Sequence, residues 1–277
     1  MKPDYGSVSA AFGAVAGDYD TVYGSETNMA MAWMRRQSLA VLQATFAPGS
    51  RLLELGCGAG EEAAVLAATG CTVLATDISW RMAAVTRAKA VQAGLGKRVW
   101  AAALPAGLLG ALYPRQPFDG AFASFGALNC EPNLIAVGRA LARLIRPGGA
   151  FVTSMMGKLC LFEIVWYSLH LRPHRAFRRL GRDWKPVPVA GEGGREVVVP
   201  TRYLTIRQVV EAFPSFDLER IMALPLLLPP PYADSLYRRH PRFFRRLEGF
   251  DRHLRECQPL GSWGDHTVLV LRRGERR

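Results

Sequence analysis

Leu53-Glu-Leu-Gly-Cys-Gly-Ala-Gly60 decides how this chain is read. Before its glycines, Arg51-Leu-Leu-Glu-Leu55 is a strand-length apolar run. After them, Glu61 to Thr69 reads as a helix. Glycines at such a junction let the backbone bend sharply and approach a ligand with no Cβ in the way. The helix that follows offers free N–H groups to the same ligand. Asp77 closes the next apolar run, Thr72-Val-Leu-Ala-Thr76, 17 residues after Gly60. An acid there is placed to accept hydrogen bonds from ribose hydroxyls.

A dinucleotide fingerprint, G-x-G-x-x-G, is the competing reading. It fits Gly56 and Gly58 but needs a glycine where Glu61 stands. An acid at the helix start repels a pyrophosphate. A cofactor with ribose and no phosphate suits the turn better, and S-adenosylmethionine is one.

Outward from the turn, helical and strand-like segments alternate. A helix is expected over Trp80 to Ala93 and strands over Val99 to Ala102 and Phe118 to Ser124. A helix over Leu134 to Ile145 follows, then a strand over Ala150 to Met155 opened by the turn Pro147-Gly148-Gly149. The alternation predicts an α/β fold: a Rossmann-like, doubly wound, seven-stranded, mostly parallel sheet with helices on both faces. The second half is less regular. Leu159 to Leu171 reads as a helix apolar nearly all round, and Arg172 to Lys185 as a basic segment. Gly191 to Gly194 reads as a loop and Glu196 to Pro200 as a short strand. Thr205 caps a helix running to Phe213. Leu218 to Ala223 and Thr267 to Leu271 read as late strands. Between them, Phe243, Leu247, Phe250, Leu254 and Cys257 make one apolar helical stripe, with Arg245, Arg246, Arg252 and Arg255 off it. Residues 1–155 are thus expected to form lid helices and a cofactor core. Residues 156–277 would add a mainly helical substrate-covering insertion and the last two strands of the same domain.

The chain has 277 residues, 49% of them hydrophobic and 21% charged, which excludes a disordered or collagenous protein. Five scattered cysteines form no C-x-x-C pair, so neither a disulfide framework nor a cysteine-rich metal site is expected, and a cytoplasmic setting fits. No apolar run reaches the roughly 20 residues that span a bilayer, and acids around Val8 to Gly17 argue against a signal peptide. The net charge is +12, with +9 of it in residues 151–277. Arg outnumbers Lys 30 to 5. Two readings stand: arginine-rich coding, or an anionic partner.

The motifs together resemble the class I S-adenosylmethionine-dependent methyltransferases, and within them the ubiquinone/menaquinone-biosynthesis-like branch. Leu53 to Gly60 resembles the first family motif, and Thr76-Asp-Ile-Ser79 with Met82 the second. Phe118-Asp-Gly-Ala-Phe-Ala-Ser-Phe-Gly-Ala-Leu128 is similar to the fourth-strand motif and Leu144-Ile-Arg-Pro-Gly-Gly-Ala-Phe151 to the fifth-strand start. Tyr19-Asp20 resembles a pair in the family's lid helix. The resemblance implies that Glu54, Gly56, Cys57, Gly58 and Gly60 hold the methionine end of S-adenosylmethionine and orient the loop. It implies Asp77 on the ribose, Ile78 on the adenine, Met82 among the cofactor contacts, Ser124 and Phe125 near the sulfonium, and Tyr19 closing over the cofactor or substrate. One position departs. Many relatives carry an acid after the third strand, where this chain has Val99-Trp-Ala-Ala-Ala-Leu-Pro105. Backbone groups, or Trp100 packed near the ring, are expected to serve instead.

Methyl transfer needs alignment and exclusion of water more than a dedicated catalytic motif. A base is needed only where the acceptor must lose a proton. The candidates are His266, Tyr203, His170, His174 and Glu163. Leu161, Phe162, Ile164, Val165, Trp166, Tyr167 and Leu226 to Tyr232 suggest an apolar lining for a lipophilic small molecule, or packing of the insertion onto the sheet. The basic segment holding Arg172, Arg175, Arg178, Arg179, Arg182 and Lys185 reads as a peripheral contact with an anionic membrane, or as a solvated face. The alternatives in function are an RNA or protein methyltransferase, supported by charge alone, and a cofactor-binding protein without catalysis. Against nucleic acid, no RNA-binding module is found, and Asn129 sits in Leu128-Asn-Cys-Glu-Pro132 rather than in a base-flipping motif.

Overall fold

The computed structural model describes residues 2–24, 26–181, 183–191 and 195–275. Three helices come first: α1 (Tyr5–Gly13), α2 (Tyr19–Tyr23) and α3 (Met29–Thr45). Then strand and helix alternate through β1 (Arg51–Leu55), α4 (Glu61–Ala68), β2 (Thr72–Asp77), α5 (Trp80–Gln92), β3 (Val99–Ala103), β4 (Phe118–Ala123), α6 (Leu134–Leu144) and β5 (Ile145–Met156). Next come α7 (Leu161–Leu169), α8 (Pro173–Ala176), β6 (Lys185–Ala190), β7 (Glu196–Thr201) and α9 (Ile206–Ala212). The chain closes with β8 (Phe216–Leu224), α10 (Asp234–Arg239), α11 (Pro241–Leu254) and β9 (His266–Arg273).

Seven of the strands form one sheet in the order β3-β2-β1-β4-β5-β9-β8. The pairs from β3 through β5 are parallel, while β9 is antiparallel to both β5 and β8. Chain direction splits at β1 and β4, which lie side by side. Ligands of such sheets bind beyond the carboxyl ends of the strands at that split.

Alternation along the strands builds two cores. Leu52, Phe122, Val152, Val268 and Val270 pack toward Trp33 and Met34 of α3 and Leu66 of α4. Their neighbours Leu53, Ala121, Phe151, Leu269 and Leu271 pack toward Val137 and Leu141 of α6 and Val209 of α9. Successive strand residues point to opposite faces, so a sheet covered on both sides reads as continuous apolar sequence. Thr205 caps α9 as expected, in a capping box with Gln208.

The structure corrects several boundaries. Pro147-Gly148-Gly149 does not precede β5. It lies within it, where the register against β4 shifts between Phe118 and Gly120. Beside its helices the insertion also carries the antiparallel hairpin β6–β7, of which only the second strand was expected. Arg182 and residues 192–194, parts of the expected basic segment and loop, lie outside the described residues. Most of the stripe on α11 faces outward, whereas an apolar stripe ordinarily faces the core. Phe243 is 58% and Phe250 63% exposed, and Leu254 and, past the helix end, Cys257 are exposed too, while Leu247 packs against the core. Phe244 and Asp251 turn inward instead. The fully buried Asp251 carboxylate accepts the N–H groups of Leu226 and Leu227 at 2.9 and 2.7 Å, and that anchor sets the rotation of the helix.

Candidate active site

The glycine turn runs from β1 into α4. Gly56, Gly58 and Gly60 have φ of +71°, +51° and +80°, a region that side-chain-bearing residues avoid. A Cβ on Gly56 would also run into that of Ala127. The N–H groups of Gly56 and Cys57 both reach back to the carbonyl of Thr76, so β2 holds the turn. Asp77 braces it from the end of the same strand. One of its oxygens accepts the Gly58 N–H at 3.0 Å and the other the Ser79 N–H at 2.8 Å. Burial pushes its pKa up to about 6, against the pull of those two donors. At neutral pH it is therefore a carboxylate with lone pairs left for hydroxyl donors.

Three expected binding residues support the turn from behind and do not line the cavity. Glu54 is buried beneath it, with one carboxylate oxygen unpartnered and its pKa raised by burial and by the nearby Glu62 and Asp77. The thiol of Cys57 points toward Thr86, and burial raises its pKa as well, so it is no nucleophile. Gly60 packs against the Thr86 side chain, whose hydroxyl donates to the Gly58 carbonyl at 2.9 Å.

Tyr19, Gly56, Gly58, Asp77, Ile78, Met82, Ser124 and Phe125 all line one cavity. Its cofactor-side wall is apolar: Met82 packs with Val15 and Ala16, and with Phe12, Tyr19 and Val189 beside them. Burial raises the Tyr19 phenol above its ordinary range and keeps it neutral. Phe125 takes a φ of +50° and donates its N–H to the Ser154 hydroxyl at 2.6 Å, which fixes the turn after β4. Trp100 does not pack near this wall. It is exposed on β3, the sheet's edge strand, and Leu104 and Ala106 line the cavity there. Glu131 joins them, accepting from the Tyr5 hydroxyl and from the N–H groups of Gly107 and Asn133. Sequence reasoning missed Glu131, because it is far along the chain from β3. It also missed Val187 and Val189 of β6, which the prolines around them conceal.

The opposite end of the cavity is polar and tightly paired. His266 opens β9 and lines the cavity. Its Nδ1 stands 2.9 Å from the Asp265 carboxylate. That carboxylate accepts, so Nδ1 carries a proton. Nε2 makes no hydrogen bond among the described residues. The ring meets Phe125 edge-on, with centroids 6.1 Å apart. Burial raises the pKa of Asp265, but Arg179 and His266 outweigh it and hold the carboxyl well below the usual range. Arg179 also bonds Glu163, and Arg178 and the Tyr232 hydroxyl bond Glu163 too. Hydrogen bonds from the two arginines overcome the burial of Glu163 and lower its pKa, so this candidate is a fixed counter-ion rather than a base. Tyr203 lines the cavity under the Arg179 guanidinium, its phenol pushed up by burial. His170 lies outside the cavity, exposed and packed on Trp166. His174 is exposed as well. Cys160, Glu163 and Asp265 bring potential metal ligands within 4.8 Å of one another, but guanidinium groups already hold both carboxylates.

Residues 52–149 match a family described as a methyltransferase domain. A demethylmenaquinone methyltransferase from Mycobacterium sp. (strain KMS) is 26% identical over 212 residues, covering 75% of this chain and 79% of that protein. Among solved structures, the DhpI–SAH complex gives a TM-score of 0.59 at 15% identity and covers 98% of both chains. The [4+2]-cyclase SpnF gives 0.55 at 20% identity, covering 86% of this chain and 80% of that one. Such distant structures share the fold, and a fold of this kind hosts more than one chemistry. The matched segment reaches from the strand before the glycine turn to the start of β5 and so contains Asp77, Ser124 and Phe125. Residues 52–149 thus form a methyltransferase domain, and a free acid for ribose hydroxyls beside an apolar wall instead of a phosphate site fits S-adenosylmethionine as the cofactor of this methyltransferase.

Proposed function

We propose that the chain methylates a lipophilic small molecule at a hydroxyl or acidic carbon, with His266 as the general base. The observation that carries this is a buried His–Asp pair facing an otherwise largely apolar cavity next to the glycine turn. An apolar wall with a few convergent polar groups suits an apolar body with one reactive polar end. The Mycobacterium relative is named for demethylmenaquinone, a lipid-soluble quinone, which agrees with that acceptor class and with the quinone branch.

S-adenosylmethionine, when bound, supplies an electrophilic methyl group and leaves as a neutral thioether. The chain does the rest. Asp77 would accept from the ribose hydroxyls, and Ile78, Met82 and Leu104 would enclose the adenine side. Tyr19 and Phe125 exclude water. His266 Nε2 takes the acceptor's proton, so the attacking atom carries its electron pair when the methyl transfers. Asp265 holds the imidazole tautomer and balances the imidazolium that forms. Arg179 fixes Asp265 in turn.

The test is release of demethylated cofactor on a panel of quinols, phenols and isoprenoid acceptors. His266→Gln is expected to lower kcat by roughly 100- to 10,000-fold while cofactor affinity stays put. Unchanged turnover in that variant would falsify the assignment. Turnover restricted to RNA or protein substrates would overturn the acceptor class.

A further inference from the structure

We infer that the outer face of α7 and α8 docks on an anionic lipid bilayer. Leu171 is 89% exposed and Leu169 76%, with Val165, Phe177 and Leu180 exposed beside them. Leu171 is the most exposed large hydrophobic residue among those described. From Ile164 to Gly181 the sequence contains four arginines, two histidines and no acid. Glu163 engages Arg178 and Arg179 beneath this face. Arg172 and Arg175 remain at the surface and make no ion pair among the described residues. The face of α7 and α8 is therefore apolar and cationic, and the exposed Asp183 comes only after it in the chain. A nucleic acid rewards the arginines alone. An anionic bilayer rewards the arginines and the protruding side chains together.

The same segment reaches the cavity, because Arg178 and Arg179 line it a few residues after Leu171. A lipid-soluble acceptor would then pass from bilayer to site without crossing water. That purpose rests on the acceptor class proposed above, whereas the surface itself does not. The outward stripe of α11 is also apolar and arginine-rich, but Glu248 and Glu256 interrupt its charge.

The experiment is co-sedimentation of the full chain with vesicles of phosphatidylcholine alone, and of phosphatidylcholine and phosphatidylglycerol in equal parts. Binding is expected to the anionic vesicles only, and high salt should release it. Arg172→Gln with Arg175→Gln should weaken partition by roughly thirty-fold. Leu169→Gln with Leu171→Asn should abolish it. Asparagine suits position 171, where φ is +55°. Both double variants should keep S-adenosylmethionine binding by calorimetry, which shows that they fold. Equal sedimentation with both vesicles, sedimentation with neither, or loss only in an α11 variant, Phe243→Ser with Phe250→Ser, would overturn the inference. Vesicle binding without turnover of a detergent-dispersed acceptor upholds the surface and counts against the acceptor class. Turnover without vesicle binding does the reverse.

Discussion

Asp77 does two jobs with one carboxylate. It braces the glycine turn through the Gly58 N–H and remains available to a ligand. Its raised pKa fixes the sign of its pH response. Above about pH 6 the buried charge costs stability. As pH falls through 6 the folded state takes up a proton ahead of the unfolded chain, so this group's penalty shrinks. The ribose loses a charged acceptor over the same range. Affinity for S-adenosylmethionine should therefore fall from pH 7 to pH 5 with no loss of stability traceable to Asp77. Calorimetric titration across that range checks it. Asp77→Asn should bind about ten- to a hundredfold more weakly at pH 7 and show a flatter profile. Asp77 was legible in the sequence because its role follows from local order: strand, turn, helix, strand, acid. Asp265 was not. It adjoins His266 in sequence, but the partner that fixes its charge, Arg179, lies 86 residues away. Local spacing carries no trace of such a pair.

At the scale of elements, α11 and β6 show how a single polar or cyclic residue overrides a pattern. The stripe on α11 has helical spacing, yet burial of Asp251 against the backbone of Leu226 and Leu227 turns most of it outward. Asp251→Ala should then cost about 1–3 kcal/mol, since it leaves two buried N–H groups without an acceptor. Phe250→Ser should change stability by no more than about 0.5 kcal/mol. Urea unfolding of the two variants separates them, and the opposite ranking would refute the anchor. In β6, Pro186 and Pro188 hide a strand because proline donates no backbone hydrogen bond. Both prolines are exposed, while Val187 and Val189, which alternate with them, line the cavity. The two-residue period was present in the sequence, but the prolines masked it. Neither device disturbs the first half of the chain, where short apolar runs mark β1 to β4.

Over the whole molecule, Arg179 is the joint between insertion and sheet. It bonds Glu163 of α7 on one side and Asp265, just before β9, on the other. Arg179→Met would take from two buried carboxylates the cation they share, leaving Glu163 to Arg178 and Tyr232 and Asp265 to His266, and should cost about 3–5 kcal/mol, read from denaturant midpoints. Glu163 and Asp265 are both held below the usual carboxylate range. Their stabilisation is in place above the unfolded pKa of about 4 and is lost as pH falls through the lower folded values. The joint's contribution should therefore begin to fall near pH 4 and go on falling at lower pH, as acid titration of the folded chain would read. Retained stability in the Arg179→Met variant would show that the joint carries nothing. The reversed direction of β9 reaches further. A parallel strand can deliver only its last residues to the cofactor edge, but β9 delivers its first. The groups assigned to the methyl donor come from residues 19–125, and the base proposed for the acceptor comes from residue 266. Donor and acceptor handling are thus written in separate stretches of the gene. Recombination that exchanged the tail would give a new acceptor chemistry to an inherited donor site.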